Sequence, residues 1–161
     1  MDWLTLAACV GACVAAGSTG MFFTPGEWYR SLDKPWWTPP DWLFPVAWTI
    51  LYASMSVAAA RVAGEPGGGQ AVAFWALQIA LNTLWSPIFF GLRRLGAAIV
   101  VIVGLWGAVA ACILLFARID MAAALLMAPY LVWVSYAAAL NVSVWRRNPR
   151  VTPLPLNESP A

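Results

Sequence analysis

Five long apolar stretches dominate the chain, and the polar residues fall almost entirely between them. Residues 3–23, 42–60, 71–91, 95–117 and 121–145 contain no Asp, Glu, Lys or Arg. Each is close to the roughly 20 residues that a helix needs to cross a hydrocarbon core of about 30 Å. A strand reading fails, because the runs are too long and lack alternation with period two. The pattern predicts an all-α membrane protein. Five spanning helices occupy residues 1–147, and the tail at 148–161, with Pro149, Pro153, Pro155 and Pro160, is expected to be disordered.

Composition agrees with lipid as the solvent. Of 161 residues, 62% are hydrophobic and 10% charged, against about 25% charged in a soluble domain. The net charge of +2 is small and scattered, which argues against a nucleic-acid partner and for membrane lipid. The first stretch follows Asp2 rather than a basic region and is longer than a signal peptide's apolar core, so it reads as a retained helix. Cys9, Cys13 and Cys112 all lie in apolar runs without a CxxC pair, and read as packing residues rather than as a zinc or disulfide framework.

Charge placement orients the helices. With five spans, the N-terminus and the second and fourth loops share one side, which holds Arg61 and Arg118. The first loop, third loop and tail share the other, with Arg30, Lys34, Arg93, Arg94, Arg146, Arg147 and Arg150. Basic residues mark the cytoplasmic side, so the first loop and C-terminus are expected there.

Small residues suggest where helices meet. Ala8, Ala12 and Ala16, with Gly11, Gly17 and Gly20 beside them, and Ala73, Ala76 and Ala80 form stripes along which backbones approach closely. They serve either packing within one bundle or a homodimer face. Glu65-Pro66-Gly67-Gly68-Gly69 reads as a flexible turn.

The first loop is unusual. Residues 28–42 hold Trp28, Trp36, Trp37 and Trp42 with Pro35, Pro39 and Pro40. Proline fixes φ and lowers the entropy of the free loop, so a stiff aromatic lid is expected. Trp3, Trp42, Trp75 and Trp145 suit an interfacial belt. Trp36 and Trp37, framed by prolines, are expected to be covered.

Inside the spans, Trp48 lies six residues from the start of the second helix and Trp85 six from the end of the third. Both would sit roughly 9 Å below the same surface at about 1.5 Å per residue, with Trp133 deeper. Trp48 and Tyr52, then Gln78, Asn82 and Trp85, then Trp133, Ala137 and Asn141, each share one helix face. If these faces converge beneath the lid, they form an apolar pocket with a few polar contacts, the usual form of a small-molecule site. The amides of Gln78, Asn82 and Asn141 serve equally well as interhelical hydrogen-bonding groups. Pro45, Pro87 and Pro129 are each expected to break the helical ladder locally.

Histidine is missing and every acid lies outside the spans. The sequence therefore offers no metal site, no nucleophile–base pair and no ion-coupling carboxylate within the membrane. It requires no resident cofactor. A planar ligand held by stacking is easier to accommodate than a metal-ligated one.

The sequence resembles the tryptophan-rich sensory protein/translocator protein family (TspO/MBR, the peripheral-type benzodiazepine receptors). The resemblance rests on Lys34-Pro35-Trp36-Trp37-Thr38-Pro39-Pro40, on Phe44-Pro45-Val46-Ala47-Trp48-Thr49-Ile50-Leu51-Tyr52, and on the run from Gln78 through Asn82, Trp85 and Pro87 to Gly91. Pro129-Tyr130-Leu131-Val132-Trp133 and Leu140-Asn141 near Trp145-Arg146 complete it.

The resemblance implies a five-helix bundle, often a homodimer, whose first loop closes a pocket. It implies binding of porphyrins such as protoporphyrin IX and haem, of isoquinoline-type ligands and, in animal members, of sterol. Ligand contact carries over to Trp37, Trp48, Tyr52, Asn82, Trp85, Trp133 and Ala137. Trp36, Pro39 and Pro40 of the lid, with Phe44, Gln78 and Asn141, complete the candidate ligand-binding set.

The tyrosine of the animal sterol motif is replaced by Val142, which weakens the sterol reading. Three roles follow. The first is a tetrapyrrole receptor or regulator, with transport as an extension. The second is a porphyrin-degrading enzyme with Trp48 and Trp133 as catalytic groups. The third is a structural, partner-binding membrane protein. For a bacterial member, the charge bias suits the inner membrane, with the outer membrane as the alternative.

Overall fold

Asp2 opens the first helix by accepting hydrogen bonds from the Thr5 backbone N–H (3.0 Å) and hydroxyl (2.9 Å), an N-cap in the usual sense. The computed structural model describes residues 2–23 and 26–154. Its spanning elements are α1 (Trp3–Phe22), α3 (Leu43–Val62), α4 (Gly68–Ser86) with a π-helical turn at Pro87–Gly91, α5 (Leu95–Ala117) and α6 (Met121–Arg147). A five-residue helix, α2 (Glu27–Ser31), lies in the first loop, where the sequence predicted only a stiff connector. Among the described residues, five helices are long and apolar enough to cross a membrane.

The spans pack as a ring in the order α1, α3, α6, α5, α4, with α4 closing back on α1. The main core runs through Met55, Val62, Val109, Phe116, Met127 and Tyr130. At the N-terminal end Arg61 meets Asp120 at 2.6 Å, and Asp120 also caps α6 by accepting from Ala122 and Ala123. At the opposite end a second cluster joins Tyr29 and Leu32 of the first loop to Phe89, Leu95, Leu140 and Val144.

Several expectations are corrected. The turn before α4 is tight rather than loose: Gly67 has φ +83°, and a β-carbon on Gly68 would lie 2.1 Å from the Val62 carbonyl oxygen. Only glycine tolerates both demands. Pro45 interrupts nothing, because it sits in the first turn of α3, where its missing N–H has no intrahelical acceptor. Pro129, inside α6, leaves out its own ladder hydrogen bond while the helix runs on, and Pro87 changes the winding to a π turn.

Trp75, expected in the interfacial belt, is only 4% exposed and donates from its indole N–H to the Met55 carbonyl. Ala73, Ala76 and Ala80 face outward, so that stripe is not used within the bundle. Ala16 is buried on α1, and Gly17 gives the Tyr52 ring room to approach. The tail is not free from its start: Val151 packs on the second cluster and the Leu154 N–H reaches the Leu92 carbonyl. Residues 155–161 lie outside the described residues.

A lidded aromatic cavity

The lid is built by polar groups that close its backbone. Lys34 ends α2 by donating from Nζ to the carbonyls of Tyr29 (2.7 Å), Arg30 (3.2 Å) and Leu32 (3.2 Å), a cation at a helix C-terminus. Thr38 closes the next turn onto the Pro35 carbonyl through both its N–H and its hydroxyl. Asn148, just past α6, clamps the lid by accepting from the Asp33 N–H (3.0 Å) and donating to the Asp33 carbonyl (2.9 Å). Arg147 reinforces it with an ion pair to Asp33 at 3.5 Å. Tyr136 donates its hydroxyl to the Trp37 carbonyl, and its ring meets the Trp37 indole edge-on at 5.5 Å.

Beneath the lid lies a cavity of about 420 Å³, lined from all five spans and from the lid. One wall is a run of rings. Trp48 stacks on Tyr52 at 5.1 Å and meets Trp133 edge-on at 6.4 Å. Trp133 stacks with Tyr136 at 6.1 Å and receives the edge of Phe44 at 5.9 Å. Trp133, expected deeper than Trp48, therefore presents its ring at the level of Trp48 and Phe44. On the other side the π turn brings Phe89 face to face with Trp85 at 4.8 Å, and Phe90 edge-on at 5.8 Å.

Two amides hold these walls in register. Asn82 of α4 accepts from the Tyr52 hydroxyl (2.8 Å) and donates to the Tyr130 hydroxyl oxygen (3.0 Å), joining α3, α4 and α6. Asn141 of α6 accepts from the Trp85 indole N–H (3.1 Å) and donates to the Leu95 carbonyl (3.2 Å). Both amides are thus interhelical hydrogen-bonding groups that also face the cavity. The indole N–H groups of Trp48 and Trp133 are different: among the described residues neither has an acceptor, and both rings line the cavity.

Of the residues singled out from sequence, Phe44, Trp48, Tyr52, Asn82, Trp85, Trp133, Ala137 and Asn141 surround this one cavity. Gln78 does not; it is fully buried between helices, with its Nε2 3.7 Å from the Met55 sulfur. Trp37 is half-buried in the lid against Tyr136 rather than on the cavity wall, and Pro39 and Pro40 shape the lid without lining the cavity.

Trp36 was expected to be covered and is 93% exposed. The lid buries Pro35 instead, and the indole turned outward suits the membrane interface. Tyr29, Asp41, Phe89, Phe90 and Tyr136 were not singled out as cavity residues. Tyr29 comes from α2, a helix too short to leave a periodic signal, and the phenylalanines are turned inward by the π winding. Burial, and then the charge of Asp41, raises the Tyr29 hydroxyl above its ordinary range, so it remains a neutral donor.

The comparisons agree with this architecture. The model of the TspO/MBR family matches residues 9–146. Protein CrtK of Rhodobacter capsulatus is 53% identical over 149 residues, 90% of this chain and 93% of that protein. The tryptophan-rich sensory protein of Cereibacter sphaeroides is 48% identical, covering 92% of this chain and 94% of that protein. The human translocator protein is 39% identical, covering 89% and 87%. With its five apolar spans and its match across residues 9–146, the chain belongs to the TspO/MBR family and is a multi-pass integral membrane protein.

Proposed function

We propose that the protein is a membrane receptor of the sensory type that binds a planar aromatic amphiphile of the tetrapyrrole class, protoporphyrin IX being the reference ligand. The observation that carries this reading is the pair of indole N–H groups, Trp48 and Trp133, set on an aromatic wall without acceptors of their own among the described residues. An apolar cavity with a few convergent donors is the usual form of a small-molecule site. Faces of Trp48, Trp85 and Trp133 offer stacking, and the indoles offer hydrogen bonds to ring or rim heteroatoms. Haem would bind through the same walls and without histidine ligation, as the chain has none. The names of the relatives, sensory and translocator protein, support receptor and carrier roles alike.

The test is a titration of the purified chain with protoporphyrin IX, followed by tryptophan fluorescence. Wild type should show saturable quenching. Trp133→Phe keeps the ring but loses the donor, and should weaken binding about fivefold, the equivalent of roughly 1 kcal/mol. Lack of saturable quenching in wild type overturns the receptor reading. The 6.4 Å approach of Trp48 and Trp133 favours one second reading, light-driven oxidation of the bound porphyrin by dioxygen as the electron acceptor, with these indoles relaying the electron. Illuminating the complex and finding its porphyrin absorption unchanged would exclude that reading.

We also infer a homodimer and a cytoplasmic lid. Ala73, Ala76 and Ala80 face outward from α4, and in lipid such a stripe lets a second helix approach closely. Ala76→Trp should abolish cross-linked dimers in membranes, and a persisting dimer would remove this face from consideration. The orientation rests on seven basic residues against two; a C-terminal reporter active only outside the cytoplasm would reverse it.

A further inference from the structure

Asp41 stands apart from the other three aspartates. Asp2 caps α1, Asp33 pairs with Arg147 and is clamped by Asn148, and Asp120 caps α6 and pairs with Arg61. The Asp41 carboxylate has neither a hydrogen bond nor an ion pair among the described residues. It lies two residues before α3, at the mouth of the cavity. Among the described residues it is also the one formally charged side chain that lines the cavity; the remainder are apolar, indole, amide, hydroxyl or phenol. Lys34, whose ammonium donates to three carbonyls at the end of α2, is not part of the lining.

We propose that Asp41 is a specificity-determining residue that selects ligands by charge, disfavouring a carboxylate at the cavity mouth and favouring a neutral or cationic rim there. This rests on the receptor reading above and refines it. A dicarboxylate tetrapyrrole must hold its acidic edge away from Asp41, whereas an esterified or cationic one is free of that constraint. Repulsion of this kind adds specificity without adding a contact. Its range is set by the salt, because Asp41 is exposed.

The experiment compares wild type and Asp41→Asn, each titrated with protoporphyrin IX and with its dimethyl ester, at low and at high salt. The diacid and diester share a ring, so the variant-to-wild-type ratio isolates the charge. At low salt Asp41→Asn should raise affinity for the diacid about three- to tenfold and leave the diester unchanged, and the difference should shrink at high salt. An equal ratio for the two probes, or unchanged affinity for the diacid, overturns the proposal. Should Asp41→Asn not fold, Asp41→Ser takes its place in the same comparison, and an equal variant-to-wild-type ratio for the two probes overturns the proposal. Failure of wild type to bind either probe is a distinct outcome, which overturns the receptor reading and this refinement with it.

Discussion

Replacing Asn82 by alanine tests the centre of the bundle. Its amide makes two hydrogen bonds, one from Tyr52 on α3 and one to Tyr130 on α6. The two phenols are not equivalent. Tyr130 is 1% exposed and finds no replacement partner, whereas Tyr52 borders the cavity and can be satisfied there. Interhelical hydrogen bonds in membranes average about 0.6 kcal/mol and reach about 1.7, so the pair should contribute about 1–3 kcal/mol. The lower half of that range applies if Tyr52 is rescued by water. The assay is equilibrium unfolding of the purified chain in mixed micelles, for wild type, Asn82→Ala, Tyr130→Phe and the double variant. The coupling between the two sites should be about 0.6–1.7 kcal/mol. Additive single effects, with coupling near zero, would refute the idea that this amide ties α4 to α6.

Three further outcomes are expected. Asn148→Ala removes the two-point clamp on Asp33, and amide exchange in residues 26–41 should quicken about fivefold, for roughly 1 kcal/mol of latch; unchanged exchange would mean that Tyr136 and Arg147 hold the lid alone. The Asp120 carboxyl is held below its ordinary value of 3.8, chiefly by Arg61 and then by the α6 N–H groups, against the opposing effect of burial. Its stabilisation is therefore complete above that value and is lost as pH falls through the lower folded value; Asp120→Asn should flatten this acid-side decline in a pH series of melting curves. Gly68→Ala, blocked by the Val62 carbonyl, should destabilise by about 1–3 kcal/mol. Gly69→Ala, which meets nothing, should be neutral or stabilising by up to about 1 kcal/mol, and equal effects at the two sites would contradict the tight turn.

Hydrophobic runs alone determine the five spans, because lipid demands about 20 apolar residues and internally satisfied backbone for every crossing. The boundaries move by only a few residues: 95–117 is reproduced as Leu95–Ala117, and 121–145 extends to Arg147. Helical spacing also grouped Trp48 with Tyr52, and Trp133 with Ala137 and Asn141, because i and i+4 share a face whatever the neighbours are.

Tertiary structure decided which faces meet and what each polar atom does there. Gln78 lies on the same helical stripe as Asn82, yet packs on Met55 outside the cavity, since one turn of helix separates the cavity from the core. Trp75 and Trp36 exchanged their expected surroundings: α3 supplies the Met55 carbonyl to the Trp75 N–H, whereas the lid turns Trp36 outward. The ring order of the helices, the π turn that brings Phe89 against Trp85, and the Asn148 clamp at a separation of 115 residues arise from contacts distant in sequence. No local pattern records such contacts. Apolar length thus determined that the chain crosses the membrane, and long-range packing determined that its crossings enclose a lidded aromatic cavity.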